Sequence, residues 1–198
     1  MKGICFIEPL FHATVEGRKT QTRRIIELQP QGNLFGVIEY TKPKRKEVFR
    51  KFDFDCGLSI VPRYRVGETL YIKEPYYVIP KETPPISDKN RCLYKYGWDV
   101  DISPIFENKL FMPAKYARYF IKITAVRCER LQDISDEDCL KEGIKKLGEY
   151  ADFNCYYDEC DRHFATPREA YAALIDSING KGTWDSNPFV WVYEYRFA

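Results

Sequence analysis

The chain has 198 residues and a formal charge of +2, which excludes a polycation; any contact with nucleic acid must come from local clusters. Its 44% hydrophobic and 30% charged residues exclude a disordered chain and fit one globular domain with its own core. Seven cysteines without a C-x-x-C pair point to free thiols in a reducing compartment rather than to a disulfide framework.

Residues 3–7 read as a first strand. Glu8 interrupts the apolar start too soon for a secretory signal, and no apolar run approaches a membrane span, so the expectation is a cytoplasmic protein with no membrane partner. A short helix over 10–16 follows; its His12 either faces a pocket or packs. Gly17 is a natural stop in the left-handed conformation. Then comes Gly17-Arg18-Lys19-Thr20-Gln21-Thr22-Arg23-Arg24, in which four of eight residues are cationic, two carry hydroxyls and one is an amide. Such groups suit an anionic or hydrogen-bonding ligand better than an apolar core, although a solvated cationic edge has the same composition. The segment 18–25 reads as a strand. In a regular strand Lys19 and Thr22 face opposite sides, and they meet only if the chain bends near Thr20-Gln21. Without that bend Lys19 aligns with Gln21 and Arg23 as a binding surface.

Pro30-Gln31-Gly32 marks a turn, and 34–41 with 47–60 suggest a hairpin around the cationic tip Lys42-Pro43-Lys44-Arg45-Lys46. Gly67-Glu68 turns into a strand at 69–74. Glu74 ends it, either as a pocket acid or as the partner of an arginine. Pro75, Pro80, Pro84 and Pro85 exclude long regular structure up to about residue 90. Lys115 and Arg118 form a further cationic cluster. A strand over 119–130 places Tyr119, Ile121, Ile123 and Ala125 on one face.

Ser135 caps a helix over 136–142, with Asp138 reaching back to the cap and Gly143 as the stop. Cys155-x4-Cys160-x2-His163, with Asp158 and Asp161 between, has zinc-binding residue types. Its spacing is not that of a standard finger and a fourth ligand is unclear, so neither metal nor cofactor is expected. Thr166-Pro167-Arg168-Glu169 is a capping box with proline at the first helical position, opening a helix to about Ile178. Tyr171, Leu174, Ile175 and Ile178 form its apolar stripe. In the last strand Phe189, Trp191, Tyr193, Tyr195 and Phe197 make one aromatic face, which suits a core better than a base-stacking platform.

Four blocks together resemble the ASCH family, a branch of the PUA-like superfamily. They are the G-R-K-T-Q-T-R-R segment after its short helix, Tyr64-Arg65-Val66-Gly67-Glu68-Thr69-Leu70-Tyr71-Ile72-Lys73-Glu74, Met112-Pro113 with Ile121-Lys122-Ile123-Thr124-Ala125-Val126, and Trp184 to Tyr195. The last is similar to the C-terminal strand of larger ASCH proteins of phages and bacteria. The resemblance implies an α+β fold: a small mixed β-barrel with flanking short helices, one domain over 1–198 with insertions near 27–62, 75–110 and 145–165. It implies recognition of RNA or of a modified nucleobase or nucleoside in a basic pocket. Arg18, Thr20, Gln21, Arg23, Arg24, Glu74, Tyr76, Lys115, Arg118 and Trp184 are the ligand-binding candidates, with Tyr77 as another base-stacking aromatic. Similarity to the N4-acetylcytidine amidohydrolases of this family implies Lys19, Thr22 and Glu142 as reactive residues, with Glu137 a rival to Glu142.

That chemistry is coherent. A threonine hydroxyl needs a nearby base, and a lysine serves as one when burial or neighbouring cations lower its pKa. Arg18, Arg23 and Arg24 are such neighbours. Glu142 falls in the last turn of its helix, where negative charge is unfavourable and so hints at function. Three functions compete: a binder of RNA or a modified base, an amidohydrolase, and a protein-interaction scaffold. The enzyme requires Lys19 and Thr22 within hydrogen-bond reach in a closed site. The binder requires an open positive groove continuing from the pocket. The scaffold requires an exposed apolar patch away from Lys19. The oligomeric state is left open.

Overall fold

A computed structural model of the chain describes residues 1–27, 29, 49–50, 59–78, 92–94, 105–146, 156–157 and 162–198. The three stretches expected to be insertions fall largely outside the described residues, as do the tip at Lys42–Lys46, the strand expected over 34–41, and Cys155 and Cys160. The architecture is mixed α+β. In chain order the elements are β1 (Lys2–Cys5), α1 (Glu8–Val15), β2 (Gln21–Ile25), β3 (Phe49–Arg50), β4 (Ser59–Ile60), β5 (Thr69–Lys73), β6 (Tyr76–Val78), β7 (Cys92–Tyr94) and β8 (Ile105–Glu107). They continue with β9 (Phe120–Arg130), α2 (Asp136–Lys141), β10 (Lys145–Lys146), β11 (Tyr156–Tyr157), β12 (His163–Phe164), α3 (Pro167–Asn179), α4 (Thr183–Ser186) and β13 (Phe189–Phe197).

The main sheet has five strands in the order β1-β5-β9-β13-β2. β1 runs parallel to β5 and the other pairs are antiparallel, so β1 and β2 are the two edges. Ile4, Leu70, Ile72, Ile121, Ile123, Val190 and Val192 are buried in the core the sheet builds. β13 is buried on both faces, which explains a strand of aromatic and β-branched residues with little polar content. α3 begins as its sequence dictates: Thr166 accepts from the Glu169 amide, Glu169 reaches back to the Thr166 amide, and Pro167 occupies the first turn. Tyr171, Leu174 and Ile175 pack inward.

Two expectations need correction. β9 does not keep one inward face along its length. Its register with β13 slips between Glu194 and Tyr195, so Ile121 and Ile123 are buried before the slip, whereas Val126 and Cys128, rather than Ala125, are buried after it. The strand expected over 18–25 starts only at Gln21. Upstream, the Lys19 amide donates to Ala13 O at 2.9 Å and the Thr20 amide to Lys141 O at 2.9 Å, so neither is available to a ladder.

Candidate functional site

Two helix ends meet and deliver the site. Gly17 leaves α1 with φ of 78°, a conformation that costs glycine nothing, and sends Arg18 and Lys19 away from the helix axis. Gly143, with φ of 111°, does the same after α2, leaving Glu142 as the cap residue. The two turns are laced together. Besides the Thr20–Lys141 backbone bond, Arg18 Nη1 donates to Gly143 O at 3.3 Å and Lys19 Nζ donates to Glu142 O at 2.8 Å. Cations at the carbonyl end of α2 also balance the helix dipole there.

From this junction grows a buried ion network. Lys19 Nζ donates to Glu142 Oε2 at 2.6 Å and to Gln21 O at 2.8 Å, in addition to Glu142 O. An ammonium has three protons, so Lys19 is fully engaged. Arg23 Nε donates to Glu129 Oε1 at 2.9 Å; Nη1 donates to Gln21 Oε1 at 2.6 Å and Glu142 Oε1 at 3.1 Å; Nη2 donates to Glu129 Oε1 at 2.6 Å and Asp138 Oδ2 at 3.1 Å. Those five contacts match the five N–H groups of a guanidinium. Arg127 closes the outer edge by binding Glu129, Asp138 and Glu194. Burial pushes the Lys19 amine below its ordinary value; Glu142 opposes the shift, while Arg24 and Arg23 add to it.

Beside the network lies a cavity of about 240 Å³ lined by Lys19, Thr22, Arg23, Arg24, Glu142 and Tyr171 on its polar side and by Phe6, Leu10, Leu174 and Ile175 on its apolar side. Thr22 is buried in this wall, and its hydroxyl has no hydrogen-bond partner among the described residues. The Tyr171 hydroxyl is buried and likewise unpartnered. Cys5, Arg24, Ile25 and Asn179 line both this cavity and a neighbouring cleft of about 750 Å³. The cleft carries Arg24, Arg63 and Lys73 against one carboxylate, Glu27, and has Tyr64, Trp191 and Tyr193 in its walls.

No family model, curated protein or solved structure matches the chain.

The structure sorts the expected site residues into three groups. Lys19, Thr22, Arg23, Arg24 and Glu142 line one cavity. The sequence tension between Lys19 and Thr22 dissolves because Lys19 lies ahead of β2 rather than within it. Even so, Thr22 is not hydrogen-bonded to Lys19, whose three protons go elsewhere. Glu142 takes the place contested with Glu137, which is exposed on α2. Asp138 does not reach back to its cap: Ser135 accepts from the Asp138 amide, while the Asp138 carboxylate turns to Arg23, Arg127 and Lys141.

The second group supports the cavity from outside. Gln21 anchors Arg23 and Glu194. Arg18 pairs with Glu16, and Thr20 is engaged through its backbone with Lys141 and Tyr195. Trp184 packs edge-on to Tyr171 at 6.2 Å instead of facing the ligand space. His12 packs against Phe11.

The third group is a separate place. Glu74 binds Arg118 through two hydrogen bonds, of 3.0 and 2.5 Å, and Tyr76 belongs with Met112 and Tyr116 to a second small core. Lys115 sits over the Tyr116 ring. None of these four lines the Lys19 cavity. His163 is described and exposed, and among the described residues no three His, Cys, Asp or Glu side chains are grouped to hold a metal. No helix among them is long and apolar enough to cross a membrane.

Sequence reasoning missed the role of Tyr171, treated as a packing residue, and the cleft residues Arg63, Tyr64 and Tyr193. One signal was present: a tyrosine within an aliphatic stripe carries a polar tip that must find a partner once buried.

Proposed function

We propose that this chain recognises RNA through a nucleobase or modified nucleoside seated in the Lys19–Thr22–Glu142 cavity, as part of an ASCH-type, PUA-like domain whose five-stranded sheet curls as a small barrel. The contact between its two edge strands, Arg24 Nη2 of β2 to Cys5 O of β1 at 2.6 Å, supports that closure. One observation carries the reading. A small cavity in which Lys19 and Arg23 are neutralised internally opens at Arg24 onto a larger cleft that is cationic and aromatic. The inner space, with Lys19 and Arg23 fully paired, suits an uncharged base with hydrogen-bonding edges rather than a phosphate. The outer space supplies guanidinium and ammonium groups for phosphates and rings for stacking, the division that single-stranded recognition uses. Arg24 stands at the junction with one hydrogen bond among the described residues, leaving most of its donors for a ligand.

The test is binding of a labelled single-stranded RNA across a salt series. The affinity falls with salt, and Arg24→Ala and Arg63→Ala each lower the salt slope by about one. An affinity indifferent to salt and to both substitutions overturns the reading.

A second reading, hydrolysis of an N4-acetylcytidine-like amide, is favoured by the open Thr22 hydroxyl beside an amine whose pKa is lowered. Thr22 Oγ1 would attack the acyl carbon, its proton passing through Lys19 to the departing amine as the C–N bond breaks, and water would then release the acid. Lys19 must first lose a proton, and with it one of three hydrogen bonds, which is why binding ranks first. Acetate released from N4-acetylcytidine by the unmutated chain but not by Thr22→Ala would promote this reading.

A further inference from the structure

The turn over 108–112 stands where three hollows meet. Lys109 lines both the Lys19 cavity and a groove of about 190 Å³, whose other walls include Glu8, Lys73 and Asn108. Leu110 lines the larger cleft, and Lys73 lines cleft and groove alike. A strand leaving the cavity on either side therefore borders this turn. The turn is pinned from several directions. The Leu110 amide donates to Asn108 Oδ1 at 2.9 Å and the Phe111 amide to Asn108 O at 3.0 Å. Lys73 Nζ donates to Leu110 O at 2.6 Å, Tyr71 Oη to Met112 O at 3.1 Å and Lys109 Nζ to Phe6 O at 2.7 Å. Met112 is buried, yet Leu110 and Phe111 before it are 57% and 73% exposed. A single exposed apolar side chain is ordinary on a protein surface. Here two stand in succession on a turn the fold has already ordered, and an ordered ring loses little entropy when a planar group stacks on it. Lys73 and Lys109 each donate one hydrogen bond among the described residues, which leaves two of three ammonium protons for other acceptors. Glu8 is the groove's only carboxylate. Ammonium groups around an exposed ring match a nucleotide, which offers a phosphate to the one and a base face to the other.

We infer that the 108–112 turn holds the nucleotide next to the one seated in the cavity, with the Phe111 ring stacked on its base and Lys73 and Lys109 facing the phosphate between the two. This rests on the RNA reading above and extends it from one base to a strand. A phenyl ring stacks on any base, so the contact adds affinity without adding sequence choice.

The test compares the full chain with Phe111→Ala and Phe111→Tyr, using a labelled single-stranded RNA of mixed sequence and an abasic strand of equal length, which keeps the phosphates and lacks the bases. Phe111→Ala is expected to bind the RNA about tenfold more weakly, to bind the abasic strand as the unmutated chain does, and to melt at the same temperature. Phe111→Tyr, which keeps a stacking face, is expected to retain the RNA affinity. Unchanged RNA affinity in Phe111→Ala overturns the assignment, leaves the RNA reading standing and hands the exposed ring to a protein partner or a second copy. An equal loss on both strands overturns it too, since the ring would then act on the backbone, as does a loss in Phe111→Tyr as large as in Phe111→Ala. A lower melting temperature of Phe111→Ala also overturns it, since the ring would then be packed in the fold. If the unmutated chain binds neither strand, the RNA reading fails and this assignment falls with it.

Discussion

Glu142 and Glu74 are both carboxylates that water barely reaches, each held by a cation brought from a distant part of the chain, but their surroundings differ. Arg118 closes on Glu74 in a two-pronged pair, stacks on Tyr119 at 5.2 Å and still reaches solvent. That pair is complete, and the small core of Tyr76 and Met112 beside it holds no unsatisfied side chain among the described residues. Around Glu142 the charges are as fully paired, but the same wall borders a hollow with the unpartnered Thr22 hydroxyl, and the buried Tyr171 hydroxyl has no partner among the described residues. A buried ion pair by itself marks a place where the chain is pinned. An unsatisfied group beside it, facing empty space, marks a place prepared for something else.

The comparison can be broken most sharply at Lys19. Lys19→Met leaves Glu142 with only part of its compensation, and the expected loss is about 3–5 kcal/mol in chemical denaturation, much of it recovered when Glu142→Gln is added in the same chain. Denaturation midpoints equal to the parent would show that no buried network exists. Glu74→Gln is expected to cost less, about 2 kcal/mol, because Arg118 can turn to water. RNA affinity should stay unchanged in this variant, and a large drop would erase the distinction between the two regions. Arg24→Ala addresses the junction of cavity and cleft. It should reduce RNA affinity at low salt by about tenfold with little change in unfolding, and a protein that unfolds readily but binds normally would relocate Arg24 to a structural role.

The smallest effect at neutral pH concerns the tyrosines. Burial pushes Tyr193 up from 10.0 to about 12, and raises Tyr171 and Tyr195 as well. Above pH about 10 the unfolded chain gives up protons that the folded chain retains, so stability that is whole below that pH is lost as pH rises. Tyr171→Phe should remove about one proton from that dependence, read as a shallower fall of unfolding free energy between pH 10 and 12. An unaltered slope would mean that the Tyr171 phenol ionises in the fold as readily as in water.

Much of the local structure was legible. The Thr166–Glu169 capping box, the Gly17 stop and the strand after Gly67 each depend on neighbours within a few residues, and each stands where the sequence put it. The grouping of Lys19, Thr22 and Glu142 came from a family resemblance, and the three do line one cavity. The alternation in β9 misled because a one-residue slip against β13, invisible in either strand alone, swaps which side faces inward. Glu74, Tyr76, Lys115 and Arg118 have residue types suited to a ligand site, but they gather around the second small core of Tyr76 and Met112 and not around the Lys19 cavity.

The sequence by itself determined the caps that open α2 and α3 and, through two glycine turns, which residues stand at the ends of α1 and α2. Only the tertiary structure decided what those residues are free to do. Glu129, Asp138 and Glu142 lie more than one hundred positions from Arg23, yet together with Gln21 they occupy every donor it has. Within a segment that looks like a cationic binding strip, Lys19 and Arg23 thereby become an internally neutral wall, while Arg24 keeps open donors. Hydrogen-bond capacity is finite and is filled by whatever the fold brings near, so no local pattern can say which donors remain open.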